Sequence, residues 1–169
     1  ICFDFDIIKS VLGTDKQAEA ETHIVKLVNY FTNFLQKSRV NFLREYSGNR
    51  GFHIWLIFEE NISYHNAYQI LKTLLDLSEI KIDETLVGLD LFPSSEKISG
   101  KYGKGVKIPL SKHKKSEAYS YLLDSDINNF SSHRVYQLTS GFIKNQIAIL
   151  QSTKKNTLVD LELKIDIKE

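Results

Sequence analysis

The chain has little of what usually fixes an identity early. Among its 169 residues there is one cysteine, Cys2, and only two prolines. A single thiol excludes an internal disulfide and any cysteine-rich zinc module, so no zinc is expected. No apolar run is long enough to span a bilayer, and no signal-peptide pattern opens the chain. These absences point away from membranes and towards a cytoplasmic, intracellular setting. Charge of one sign is missing too: 22 Lys and Arg against 21 Asp and Glu leave a net +1. Attraction for a polyanion therefore has to come from a local patch. There is no internal repeat, low-complexity linker or Pro-rich boundary. With 42% hydrophobic and 25% charged residues, the chain can form one sizeable core but not two large domains, and a single domain over residues 1–169 is expected. Because Ile1 stands where Met would, already inside a strand pattern, we expect a piece of a longer protein.

What is there begins at once. In Cys2-Phe3-Asp4-Phe5-Asp6-Ile7 two acids alternate with apolar residues, so a strand would send Phe3, Phe5 and Ile7 into a core and bring Asp4 and Asp6 out side by side. Two carboxyls leaving one strand roughly 7 Å apart can converge on hard cations. Alternating Asp is more often only a solvated face, and the later stretches decide between these readings.

Gly13-Thr14-Asp15 predicts a strand exit and a helix N-cap. Ile24, Leu27, Val28, Phe31, Phe34 and Leu35 then recur at helical spacing and predict a long helix packed on a sheet. Val40 to Phe58 predicts two strands joined by Ser47-Gly48-Asn49-Arg50-Gly51. The second is apolar on both faces apart from His53, which marks it as central. A buried imidazole needs partners at both nitrogens, and the two glycines with Ser47 and Arg50 just before it offer a tight, anion-binding turn. Ser63 caps a second predicted helix with Ala67, Ile70, Leu71, Leu74 and Leu75 inside. Leu86 to Phe92 predicts a strand ended by Pro93; Asp90 within it should face a cation or a polar cleft, since an isolated buried carboxylate is costly.

From Ser94 to Lys115 seven lysines crowd together with three glycines. They bracket Val106-Lys107-Ile108-Pro109-Leu110, which predicts a short strand holding Lys107 in place. Tyr102 and Phe92 could stack on a base, though core packing is their commoner use. Further on, Val135, Leu138, Phe142, Ile143, Ile147 and Leu150 predict a helix with a buried stripe, capped by Ser131 or Ser132. Leu158 to Asp166 alternates like a strand; its Asp160 and Glu162 are expected at a solvated edge rather than as a rival metal pair. His23 is expected at the surface rather than as a ligand, His65 and Tyr68 at the surface or rim, and His133 has no identifiable partner.

Three signatures in this order resemble the archaeo-eukaryotic primase superfamily of primase-polymerases, most closely the branch found in CRISPR-associated primase-polymerases and TOTE conflict-system primases. They are DxD (Asp4, Asp6), SGxxGxH (Ser47, Gly48, Gly51, His53) and the acid ahead of Phe-Pro (Asp90). Tyr121-Leu122-Leu123-Asp124-Ser125-Asp126 is similar to a stretch that follows the basic loop in that branch. The chain departs from it at Ser94-Ser95, where lysine and glutamine are frequent, and lacks an asparagine near Lys104. The resemblance implies an α/β (α+β) catalytic core: a mixed, largely antiparallel sheet with an RRM-like module, helices on its outer faces, and the acids in a cleft between two sub-modules. It implies a template-dependent nucleotidyltransferase that joins nucleoside triphosphates into or onto a primer with two divalent metals, Mn²⁺ or Mg²⁺, held by Asp4, Asp6 and Asp90. Ser47, Arg50 and His53 would hold the triphosphate, with Lys107, Lys112 and His113 as further contacts. Partners would be nucleoside triphosphates, a single-stranded or primed template, and fused or associated CRISPR or conflict-system proteins. A non-catalytic nucleic-acid-binding module and a metal-dependent nuclease are the alternatives; the first could dispense with the acids and the second has little use for the SGxxGxH turn.

Overall fold

The computed structural model describes residues 1–98, 100, 103–128, 130 and 138–165, the side chains of 163–165 excepted. In order the chain forms β1 (Cys2–Ile7), α1 (Gln17–Lys37), β2 (Leu43–Tyr46), β3 (Gly51–Trp55), α2 (Tyr64–Ser78), β4 (Val87–Phe92), β5 (Tyr121–Leu123), α3 (Ser140–Ser152) and α4 (Leu158–Ile165). The strands make one sheet in the order β4-β1-β3-β2-β5. Every strand pair in it is antiparallel, so the expected mixed sheet is simpler than foreseen. The first six long elements run βαββαβ with spatial order 4-1-3-2, the split βαβ arrangement expected of an RRM-like module.

Alternation in β1 creates two unlike faces. Phe3, Phe5 and Ile7 are fully buried, and Phe31 of α1 packs edge-on against Phe3 with ring centroids 4.7 Å apart. Ile70, Leu71 and Leu74 of α2 join the same core, and the Tyr30 hydroxyl ties α1 to the end of α2 by donating to the Ser78 carbonyl at 2.9 Å. Both long helices thus flank the sheet on one outer face. Each fully buried Phe or Ile there contributes roughly 1.5–3 kcal/mol. That burial lets the opposite face carry charge at a cost the fold tolerates.

Start signals were read correctly for α2, where the Ser63 hydroxyl accepts from the Asn66 amide at 3.1 Å, and a residue or two early for α1. There Lys16 holds the N-cap position with no side-chain bond, and the Gln17 side chain reaches back to accept from the Gly13 amide at 2.7 Å.

Three expectations fail beyond β4. Val106 to Leu110 is no strand, and Ile108 is 76% exposed. The stripe predicted for α3 is rotated by one residue. Leu138, Ile143, Ile147 and Leu150 are exposed; Phe142 turns inward as expected, with Gln146 and Ile149 in place of the rest. Gln146 explains the rotation: its side chain accepts from the Leu122 amide and donates to the Leu122 carbonyl, so it caps the free edge of β5 as a strand would. A polar residue thereby outcompetes its apolar neighbours for the inward position. The tail is α4, not a strand. Leu158 and Leu161, three residues apart, share a helix face but would lie on opposite faces of a strand, and the Thr157 hydroxyl caps the turn by accepting from the Asp160 amide at 3.2 Å; Asp160 and Glu162 are exposed, as expected of a solvated pair. Tyr102, Ser131, Ser132, His133, Val135 and Asp166 lie outside the described residues.

Candidate active site

The open face of the sheet is crossed by a rung of polar side chains, one from each of four strands. Glu45 pairs with His53 across β2 and β3, His53 with Asp4 across β3 and β1, and Asp4 with Asp90 across β1 and β4. Residues opposite one another in an antiparallel pair share a face. Two residues along β1, Asp6 stands between Gly51 and Gly88 on the flanking strands. The two glycines leave its carboxyl uncrowded, and Gly51 is essential to the approach, since a Cβ there would stand 1.9 Å from the Phe5 carbonyl oxygen and 2.5 Å from Asp6 Oδ1.

Beside this rung lies a cleft of about 500 Å³ lined by Asp4, Asp6, Ser47, Arg50, His53, Lys107 and His113, among others. Seven of the nine sequence-predicted site residues therefore meet in one place. Asp90 is adjacent to Asp4 in register but lies outside the cleft lining, its side chain 60% exposed and bound by Lys104 at 2.8 Å. Lys112 is turned away, 3.8 Å from Glu117. The expected cleft between two sub-modules is a cleft between the sheet and the basic loop, which docks on the SGNRG turn. The Ser116 hydroxyl donates to the Gly48 carbonyl, and at Gly48 (φ +86°) a Cβ would press within 3.1 Å of the Ala118 oxygen and the Ser120 nitrogen. Lys107 is held without a strand, its ammonium donating to the Ser111 carbonyl at 2.9 Å.

Electrostatics divide the acids. Burial pushes the Asp4 carboxyl up to about 6, with the neighbouring Asp6 charge adding to the rise and His53 opposing it. Its Oδ1 is buried with no hydrogen-bond partner; His53 Nε2 lies 3.5 Å away. Burial also raises Asp6, and the Arg50 guanidinium, 2.6 Å from Oδ2, works against it. For His53 burial favours the neutral ring, but the hydrogen bond to Glu45 and the Asp4 charge outweigh it and the net shift is upward. Burial and the Lys107 charge hold His113 below the ordinary range. Its Nδ1 accepts from the backbone amides of Lys115 and Ser116, both at 3.2 Å. A neutral ring so engaged carries its proton on Nε2.

Whether these residues suit a metal turns on that orphaned oxygen. Three carboxyls on one face, one with a buried oxygen unbonded, form a hard, oxygen-only donor set of the kind Mg²⁺ and Mn²⁺ take. Among the described residues no three His, Cys, Asp or Glu side chains are gathered closely enough for a ready-made cage. Arg50 is bound to Asp6 and Lys104 to Asp90, each cation standing where a metal would compete for the carboxyl.

Sequence reading missed Glu45, which is wholly buried. Its signal was present: once Ser47 to Gly51 is taken as the hairpin loop, Tyr46 faces Phe52 and Glu45 must face His53. Asp126, in the stretch that follows the basic loop, is bound to Arg44 at 3.0 Å, and neither it nor Asp124 lines the cleft.

No helix among the described residues is long and apolar enough to cross a membrane. No curated protein matches the chain. The sequence profile of the archaeo-eukaryotic primase domain of TOTE conflict systems matches residues 1–162. With its three signatures on one sheet face and nearly its whole length covered, the chain belongs to the archaeo-eukaryotic primase domain family of TOTE conflict systems.

Proposed function

We propose that this primase-type domain is a template-dependent primase-polymerase that joins nucleoside triphosphates with the help of two divalent ions. The observation that carries the reading is the rung itself. Asp4, Asp6 and Asp90 offer oxygen donors from two adjacent strands, and Asp4 Oδ1 has no other partner. These three would hold Mg²⁺ or Mn²⁺. Bound divalent ions supply activation of the attacking 3′-hydroxyl and neutralise charge on the α-phosphate and leaving pyrophosphate.

The chain's own groups do the rest. Arg50, Lys107, His53 and His113 line the cleft beside the acids, a spread of donors suited to a triphosphate. Ser47 adds a hydroxyl that is buried and unpartnered. Binding the triphosphate draws Arg50 from Asp6 and Lys104 from Asp90 and frees both carboxyls. The remaining loop lysines approach template phosphates, where affinity falls steeply with salt. Partners on this reading are nucleoside triphosphates, a single-stranded or primed template, and other proteins or domains of a conflict or CRISPR system, in an intracellular setting.

Incubating the protein with labelled nucleotides, template and Mn²⁺, with and without primer, tests the reading. Extended or de novo products that vanish in Asp4→Ala/Asp6→Ala are expected. Template degradation would instead mean a nuclease, and template binding without products a non-catalytic module.

A further inference from the structure

Glu45 is the only one of the rung's four side chains that does not reach the cleft or the sheet's open edge. It is wholly buried, an expensive place for a carboxylate unless its neighbours compensate. Two do, and both donate to one oxygen, while Oε1 is buried without a hydrogen-bond partner: His53 Nδ1 lies 2.8 Å from Glu45 Oε2 and Trp55 Nε1 lies 2.7 Å from the same atom. Burial alone would raise this carboxyl; the bond and charge of His53, joined by Ser120 and Trp55, reverse the shift, so it stays ionised.

The arrangement leaves His53 one way to lie. Rotation about its side-chain bonds could present either ring nitrogen to the cleft, and the ring is 3% exposed, with the indole of Trp55 edge-on to it at 5.7 Å. Glu45 takes Nδ1, so Nε2 is the nitrogen left facing Asp4 and the cleft. We propose that Glu45 is the positioning residue of this site: the buried carboxylate that clamps His53 so that Nε2 is presented to the triphosphate of an incoming nucleotide. The proposal rests on the nucleotide-binding reading above and adds to it a group that never touches the substrate. Trp55 stiffens the clamp from the side by fixing the oxygen to which His53 is bound.

The test is a double-mutant cycle on nucleotide affinity, read by titration of a labelled nucleoside triphosphate with Mn²⁺. Glu45→Gln keeps the volume and removes the charge, and it is expected to weaken binding about tenfold, the scale of one charge-assisted hydrogen bond. In a His53→Ala background the same change should cost almost nothing, because the clamp then has nothing to hold. Trp55→Phe, which keeps the Glu45–His53 bond, should leave affinity within about twofold, below the scale of a lost charge-assisted bond. Equal losses from Glu45→Gln with and without His53, no loss at all, or a Trp55→Phe variant as impaired as Glu45→Gln would each overturn the proposal. Nitrogen NMR of the His53 ring in the unaltered protein gives a readout that needs neither a variant nor a nucleotide. A proton on Nδ1 supports the clamp, whether the ring is neutral or an imidazolium whose Nε2–H is also free to donate to phosphate, and a neutral ring protonated at Nε2 alone contradicts it. A wild-type chain that binds no nucleotide yet shows the Nδ1 proton would sink the functional reading while leaving the clamp standing.

Discussion

The two ends of the rung differ in nearly everything but chemistry. At the inner end Glu45, His53 and Asp4 sit on three adjacent strands, buried or nearly so, each placed by register, and Glu45 and His53 also by a bond that needs no ligand. At the outer end Asp90 is on the edge strand, mostly exposed, and its partner Lys104 comes from the lysine-rich loop and lies over the Phe92 ring at 5.2 Å. A site built this way has a fixed floor and an adjustable rim. Substrate binding would meet a prepared inner half, and the outer half would exchange a lysine for a cation.

Substitutions can break that contrast, and the largest effect should come from glycine. Gly51 and Gly88 flank Asp6 on either side, yet a methyl at Gly51 collides with the Phe5 backbone whereas one at Gly88 meets only the tip of Ile8 at 3.3 Å. Gly51→Ala should cost about 3 kcal/mol or more, because main chain in a central strand has to move, and Gly88→Ala under about 1 kcal/mol. Urea denaturation compares them, and equal costs would mean that the inner half is no more rigid than the rim.

Asp4 supplies the next effect. Its carboxyl is raised from 3.8 to about 6 in the folded chain, so between those values the folded state keeps a proton that the unfolded state has released. Stability therefore falls as pH rises through this window, and the penalty is complete above pH 6. In metal-free protein Asp4→Asn should thus be more stable than the parent at pH 7.5, by at most about 3 kcal/mol, and no more stable near pH 3.5. Thermal melts at the two pH values check the sign. The same proton competes with Mn²⁺, so cation affinity should drop below pH 6.

The smallest effect belongs to the rim. Lys104 and Asp90 are both about half exposed, where an ion pair contributes little. Lys104→Ala should tighten Mn²⁺ binding only a few-fold, as measured by the loss of free Mn²⁺ signal in paramagnetic resonance, by removing a weak competitor. No change would leave Lys104 without a part at the rim, and a weaker affinity would mean that it helps to hold the ligand.

What could be read in the sequence follows the same division. Strands β1, β3 and β4 carry strong alternation or apolar runs, so their faces, and with them Asp4, Asp6, His53 and Asp90, were readable once each strand was placed. Helices α1 and α2 were readable because their stripes lie against a large core. The C-terminal third was not, because its elements are set by single polar contacts that hydrophobic periodicity does not encode. Gln146 turns α3 by one residue to reach the Leu122 backbone, and Thr157 starts a helix where alternation suggested a strand. Lys107 lines the cleft, but it is held by Ser111 rather than by buried neighbours of a strand. Glu45 escaped notice because a buried acid looks like any other polar residue of an alternating strand until its register partner is identified.

Crystals grown with Mn²⁺ and a nucleoside triphosphate, with the metal located by its anomalous scattering, test the central claim most directly. Manganese bound by Asp4, Asp6 and Asp90 is expected, with phosphate oxygens reaching His53 Nε2 and Ser47. Metal bound elsewhere on the chain, or a nucleotide on the helix-covered side of the sheet, would contradict it.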